Sequence, residues 1–435
     1  MESRWIGLVV FLLFTGIFFS LAPTPQYVPD LGGSSAWGDD DDKLPFRRNA
    51  TVTTLITTPR LVEGLTGDNH GNLYTFARGT PPCPVWQINL HNPSLTPVGF
   101  VVPAGGGCRS EGIAFNETGN LFVADGDGTI YTFSPSAKNP PIATIFTSGV
   151  PGANGIAFDK KGNLWVSDGS TGRGRVWKIA PGGGVCEDTA NPYRGCEEVF
   201  RIQPMANEVN LVNGVGGVGR DVRLLPQGTI TVTPTSRNAA NTEGSRPTVA
   251  NGLAFDTDGD ILFIADQARG AIWKATFDRR GYLKSKTGCD TTFTPNTLCL
   301  DNVFVAHPYL EGADGIALDR GGNIWVVSDE RQAIVVVTKK AKVFEVFRNP
   351  VNSAGLRNSA DPAVGNNHIL EGPASPFITG KVFCSTQFDL GRRDNSPRRE
   401  GKIHGGAAQD GPIPLSKIAC MDQELKIPGL RLPID

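Results

Sequence analysis

Six residues stand directly before a glycine at recurring points of the chain: Glu63, Glu111, Asn154, Asn251, Asp314 and Glu371. This position varies among polar types while the residues that follow it are largely apolar. Carboxylates and amides, without thiols or a histidine cluster beside them, are hard oxygen donors suited to a divalent cation, Ca²⁺ or Mg²⁺ first. Such a cation would polarise an ester or lactone carbonyl, with Asp314 positioning or deprotonating the attacking water. His307, upstream in Ala306-His-Pro-Tyr-Leu-Glu-Gly-Ala-Asp314, is a second acid–base candidate. Each residue also has a plainer reading. A polar residue before glycine can cap a turn or bind channel water, and a histidine beside proline can be structural.

The elements that must position these groups repeat with them. One phrase occurs four times: Glu111-Gly-Ile-Ala-Phe with Gly119-Asn-Leu-Phe-Val-Ala-Asp125, Asn154-Gly-Ile-Ala-Phe with Gly162-Asn-Leu-Trp-Val-Ser-Asp168, Asn251-Gly-Leu-Ala-Phe with Gly259-Asp-Ile-Leu-Phe-Ile-Ala-Asp266, and Asp314-Gly-Ile-Ala-Leu with Gly322-Asn-Ile-Trp-Val-Val-Ser-Asp329. Weaker copies begin at Glu63-Gly64, Arg220-Asp221 and Glu371-Gly372. A short apolar strand, a Gly-Asn or Gly-Asp turn and a second apolar strand make a hairpin. Further strands follow at Thr129–Phe133, Arg175–Ile179, Ala271–Ala275 and Ala333–Val337, with fourth strands at residues 142–146, 197–202 and 343–347.

Four strands per repeat make the blade of an all-β propeller, in which first strands line a central channel and the pre-glycine side chains converge. Six blades are expected, with seven the alternative. The segment from Glu371 onward is expected to pair with the N-terminal strands and close the ring, and Trp165, Trp177, Trp273 and Trp325 to fill the space between blades.

Asn251-Gly-Leu-Ala-Phe and Asp314-Gly-Ile-Ala-Leu-Asp-Arg-Gly-Gly-Asn-Ile-Trp-Val resemble successive blade openings of the senescence marker protein, gluconolactonase and luciferin-regenerating enzyme family. The resemblance covers about residues 60–420. It implies a Glu, two Asn and an Asp around a divalent cation, Ca²⁺ above Mg²⁺ or Zn²⁺, with the Asp also serving lactone hydrolysis. Asn251 and Asp314 take the fixed Asn and Asp roles. The Glu is Glu63, with Asn154 as the further ligand, or Glu111, in which case the matching position is Arg220. The long connection between Asn154 and Asn251 and the late arginine-rich loop depart from compact family members, so the substrate class does not follow.

Composition narrows the alternatives. The 435 residues include 53 Gly and 32 Pro, which suits short strands and tight turns. A net charge of −2 leaves no global basic field, which argues against nucleic acid as a partner. No Gly-x-Ser-x-Gly elbow, phosphate loop or dinucleotide fingerprint occurs. The apolar run Trp5–Ala22 reads as a signal peptide or membrane anchor, residues 23–50 as a linker, and 51–435 as the propeller. Export is therefore expected, with membrane contact only through that run if it is uncleaved.

Eight cysteines agree with export. Cys186 with Cys196 and Cys289 with Cys299 are spaced as local staples, and Cys83 with Cys108 and Cys384 with Cys420 would complete a sequential set. Asn49-Ala-Thr51 and Asn116-Glu-Thr118 are possible glycan acceptors in a eukaryotic host. The expected function is metal-dependent hydrolysis of a small lactone or ester. The alternatives are a non-catalytic propeller that binds a partner and a strictosidine synthase-like propeller enzyme, and fold alone does not choose among them.

Overall fold

The computed structural model describes residues 44–47, 50–169, 171–186, 195–203, 249–289, 291, 293–329, 331–348, 369–370, 372–388 and 416–430. The apolar run Trp5–Ala22, the phrase at Arg220 and the residue Glu371 lie outside them. The compact unit that carries the strands runs from Pro45 to Asp435.

After β1 (Val52–Thr58), blade 1 is built from β2 (Val62–Gly67), β3 (Asn72–Ala77), β4 (Cys83–Asn89) and β5 (Thr96–Val101). Blade 2 follows with β6 (Ser110–Phe115), β7 (Leu121–Asp125), β8 (Thr129–Phe133) and β9 (Thr144–Ser148). Blade 3 is β10 (Ala153–Phe158), β11 (Leu164–Asp168) and β12 (Arg175–Ile179), then, after the short β13 (Gly184–Val185), β14 (Cys196–Ile202). β13 returns to pair in parallel with β9. Blade 4 contains β15 (Leu253–Phe255), β16 (Ile261–Asp266) and β17 (Ala271–Thr276); β18 (Thr297–Leu298) joins β14 of blade 3, and β19 (Val303–Ala306) completes blade 4. Blade 5 is β20 (Ala313–Leu318), β21 (Ile324–Ser328), β22 (Ala333–Val337) and β23 (Val343–Arg348). In blade 6, β24 (Pro373–Thr379), β25 (Val382–Gln387) and β26 (Ser416–Met421) are followed by β1 as the outermost strand.

The first strands β2, β6, β10, β15, β20 and β24 touch in a closed circle, each next to the following one and β24 next to β2. Because β10 meets β15 directly, no further blade stands between them, and the propeller has six blades. Pairing of β1 with β26, from Val52↔Met421 to Thr58↔Ser416, closes the last sheet with the first strand of the chain, as expected. Closure of this kind joins the two ends of the ring, and each blade keeps only its short outer edge.

The inter-blade layers are apolar. Trp165 of blade 3 packs edge-on against Phe255 and Phe277 of blade 4, and Trp325 of blade 5 lies 5.3 Å from Phe383 of blade 6. Trp273 and Trp325 are fully buried. Phe46, ahead of the first strand, adds an edge contact to Trp325 at 6.5 Å.

Each well-formed hairpin turns on a side chain that precedes its glycine. Asp159 Oδ1 accepts from the N–H groups of Lys161 and Asn163, and its Oδ2 accepts from Trp165 Nε1; Asp319 does the same for Gly321, Asn323 and Trp325. The carboxylate thus anchors both the turn and the inter-blade tryptophan.

The four disulfides are Cys83–Cys108, Cys186–Cys196, Cys289–Cys299 and Cys384–Cys420. Cys384 and Cys420 are also ladder partners of β25 and β26. Replacing both by Ser is expected to remove about 2–5 kcal/mol, measured by chemical denaturation. An unchanged denaturation midpoint would refute this closure as a structural constraint.

Candidate functional site at the propeller axis

The phrase that opens each blade is a β-bulge. Between Val62↔Ala77 and Leu65↔Thr75 the first strand advances three residues while its partner advances two, so Glu63 and Gly64 share one pairing step. The same shift falls at Glu111-Gly112, Asn154-Gly155 and Asp314-Gly315. In blade 4, Asn251 N donates to Ala265 O and Ala265 N donates to Gly252 O, which again sets two residues against one. A bulge re-aims the side chain it carries.

The glycine has its own reason. A Cβ on Gly64 would lie 2.2 Å from Glu111 O, on Gly112 2.5 Å from Asn154 O, on Gly155 2.3 Å from Asn251 O, and on Gly252 2.7 Å from Asp314 O. Each glycine therefore lets its strand lie against the backbone of the next pre-glycine residue. Residues Glu63, Glu111, Asn154, Asn251 and Asp314 form one axial layer on five successive blades.

The sixth place differs from the sequence reading. Gly315 faces Ala374 O, and the bulge of blade 6 falls at Ala374-Ser375. Ser167 Oγ accepts from Gly155 N and donates to Asn251 O; in blade 6, Thr386 Oγ1 accepts from Ser375 N and donates to Glu63 O. Ala374 thus stands where Asn154 stands in blade 3, and Glu371, offered as an axial residue, precedes that place by three positions. The bulge of blade 6 has no glycine, and Gly372 is the nearest one that precedes it in sequence.

The layer is dense in buried polar groups. Asp314 and Asn251 are 2% and 3% exposed, and Glu63 and Asn154 are also buried. Asn154 Nδ2 donates to Glu111 Oε2 at 3.1 Å. Glu111 is half-buried. Enclosure by protein, then the charge and hydrogen bond of Glu63, and further the charge of Asp314, hold its carboxyl well above the usual range, against the opposing charge of Arg78. The Glu111 carboxyl thus feels two other carboxyl groups of the layer.

Antiparallel pairing places the end of each second strand beside the layer, as in Ser110↔Asp125, Ala153↔Asp168 and Ala313↔Ser328. The loops that start there add residues the sequence reading missed. Asn251 Nδ2 donates to Gln267 Oε1 at 3.3 Å, and Gln267 Nε2 donates to Asp329 Oδ2 at 2.8 Å. This chain fixes the amide of Asn251 with its oxygen turned from Gln267. Gly126 and Gly169 keep the opposite side narrow, since a Cβ on either would meet Glu111 Oε1 or the Asn154 side chain at 2.8 Å. Gly126, Gly169 and Gln267 stand directly after the repeated second-strand Asp, and Asp329 is that Asp in the fourth phrase.

Asp125 itself is buried under that loop and accepts from Arg109 N. Burial raises its carboxyl to about 6 despite the hydrogen bonds that favour its charge. The folded protein then holds a proton that the unfolded chain has released, so this group's contribution to stability falls as pH rises from about 4 to 6. Asp125→Asn should abolish that share, on the order of 2 kcal/mol. Denaturation midpoints of parent and variant at pH 4.5 and 7 test this; an identical pH dependence in both would contradict it.

His307 lies in a different setting. Its Nδ1 accepts from Tyr309 N at 3.1 Å, its own N–H donates to Gly270 O, and its ring packs edge-on against Tyr309 at 4.7 Å. Burial and the Arg331 charge lower its pKa. Among the described residues none of its hydrogen bonds reaches the axial layer, and its geometry is that of a turn cap.

The donors of the layer suit a hard cation: Glu63, Glu111 and Asp314 supply carboxylate oxygens, and Asn154 and Asn251 amide oxygens. Among the described residues no three His, Cys, Asp or Glu side chains close on a ligand geometry by themselves. A coordination sphere here would have to include the amides.

The family model described as "SMP-30/Gluconolactonase/LRE-like region" matches residues 219–355. No curated protein sequence matches the chain significantly. Among solved structures, the calcium-binding protein regucalcin from Agrobacterium tumefaciens is 14% identical, covering 88% of this chain and 97% of its own, with a TM-score of 0.50. A luciferin-regenerating enzyme is 12% identical over 88% of this chain and 98% of its own, also with a TM-score of 0.50. The chain is therefore a six-bladed β-propeller with the fold of regucalcin and luciferin-regenerating enzyme, in which residues 219–355 match the SMP-30/gluconolactonase/LRE-like family model.

Proposed function

We propose that the axial layer is the active centre of a metal-dependent hydrolase of a lactone or related small ester. The observation that carries this reading is the convergence of Glu63, Glu111, Asn154, Asn251 and Asp314 on one layer, in which the carboxyl of Glu111 responds to those of Glu63 and Asp314. Buried like charges repel, and a divalent cation is the simplest group that relieves them. A bound cation would supply Lewis-acid polarisation of the substrate carbonyl.

The chain's own residues do the rest. Asn251, fixed by Gln267 and Asp329, and Asn154, fixed by Glu111, offer oriented amides. Asp314 takes a proton from water as the water oxygen attacks the carbonyl carbon; the ring C–O bond of the tetrahedral adduct then breaks, and Asp314 returns the proton to the leaving ring oxygen to give the hydroxy acid. Ca²⁺ is the first choice of cation, because the donors are all oxygen and a calcium-binding protein shares the fold. The four disulfides support a site of action in an oxidising, extracytoplasmic compartment.

The test is turnover of five- and six-membered lactones and simple esters by the purified protein with Ca²⁺, Mg²⁺ or Zn²⁺ added. Hydrolysis of at least one class is expected. A protein that binds the cation yet turns over none of them is instead a binding module.

A further inference from the structure

A second polar cluster lies on the same side of the propeller, away from the axis. The pairs Ala313↔Ser328, Ser328↔Ala333 and Ala333↔Arg348 run across blade 5 at one level. Three strand spacings put the Arg348 backbone about 14 Å outward from β20. The loop that enters β20 brings His307, Tyr309 and Glu311 to this region, while β23 and the loop before β22 bring Glu345 and Arg331.

Arg331 is satisfied there: its Nε donates to Glu345 Oε2 at 2.5 Å and its guanidinium stacks on the Tyr309 ring at 4.7 Å. Arg348 is not. Its Nε and Nη2 are buried, and neither has a hydrogen-bond partner. Burial and the Arg331 charge press on the guanidinium, with Glu345, Glu311 and Tyr309 offsetting them in part. A guanidinium stays charged in proteins, so leaving its donors buried and unmet is costly.

The two unmet atoms specify the missing group. Nε and Nη2 form one edge of the guanidinium, where two N–H bonds run nearly parallel, and that edge matches the paired oxygens of a carboxylate or phosphate. Arg331 offers its Nε to Glu345 in this cluster, so an acidic side chain already occupies the neighbouring guanidinium. From this geometry we propose that Arg348 is the anchor of an oxyanion-binding site on the outer part of blade 5, taking the carboxylate or phosphate group of a small molecule, with Tyr309 and Arg331 as its wall.

Calorimetric titration of the whole protein with sodium phosphate and with sodium acetate, each against sodium chloride at equal ionic strength, tests this. At least one oxyanion should bind saturably, and the arm that binds identifies the source chemistry. Arg348→Met should abolish the binding, and Arg348→Lys, which keeps the charge and loses the fork, should weaken it about tenfold. The Asp314→Asn protein should bind the anion as the parent does, which separates this site from the fate of the axial one. Absence of saturable binding of either anion, or equal binding by parent and Arg348→Met or Arg348→Lys, would overturn the proposal.

Discussion

Asp314→Asn should lower lactone turnover a hundredfold or more while the propeller stays folded. The side chain is almost fully buried at the bulge of blade 5, and Asn fills the same volume with one oxygen in place. What disappears is the basic site, and loss of general-base chemistry typically costs a factor of about 10² to 10⁴. A second readout distinguishes this from damage to the fold. Asp314 is one of the charges that hold the Glu111 carboxyl high, so its neutralisation relieves repulsion in the cation-free protein. The cation-free variant should therefore unfold at the same temperature as the parent or above it, and bind cation less tightly. Turnover within about threefold of the parent would remove Asp314 from the mechanism, since Asn cannot take up the proton.

Gly155→Ala should be strongly damaging, because the methyl has only neighbouring backbone to meet. The new carbon would sit 2.3 Å from Asn251 O and 3.1 Å from both Asn251 C and Gly252 Cα, all backbone atoms of the neighbouring blade. Blades 3 and 4 would have to separate at the axis, at a cost of about 1–3 kcal/mol or more, and Asn154 and Asn251 would move apart with them. Two controls isolate the cause. Gly105→Ala meets nothing within 4 Å and should be neutral. Gly71→Ala also meets nothing but sits at φ +81, so it should cost about 1 kcal/mol from backbone strain alone. Denaturant midpoints that fail to rank Gly155→Ala below Gly71→Ala would contradict close blade contact as the reason for the repeated glycine.

Much of this architecture was legible in the residues because the repeat encodes local structure. The phrase from Asn154 to Asp168 reads directly as a hairpin, and Cys186–Cys196 and Cys289–Cys299 sit where their spacing put them. Blade counting was harder for a physical reason. The fourth strand of blade 4, Val303–Ala306, comes only after a disulfide-closed excursion that lends Thr297–Leu298 to blade 3, so sequence distance no longer tracks blade order. Blade 6 shows the opposite failure: its bulge carries Ala374-Ser375 without a glycine, although Thr386 makes there the same bridge to the next blade that Ser167 makes at Asn154-Gly155. The axial residues were visible one at a time, but their grouping depends on ring closure. Gln267 and Arg78 act on the site from neighbouring strands, and no local pattern announces them; Asp329 closes the repeated phrase, but its link to Asn251 runs through Gln267 of another blade. Nor does the pattern reveal that His307 turns its Nδ1 into a turn cap.

The axial layer's role as a cation-dependent catalytic centre is tested most directly by stripping the protein with a chelator and restoring Ca²⁺ stepwise while lactone turnover is followed. Turnover should vanish on stripping and return in proportion to Ca²⁺ up to one ion per chain, with the return abolished in an Asn251→Ala, Glu111→Gln double variant. Turnover that survives complete removal of divalent ions, or a stripped protein that takes up no divalent ion at all, would contradict it.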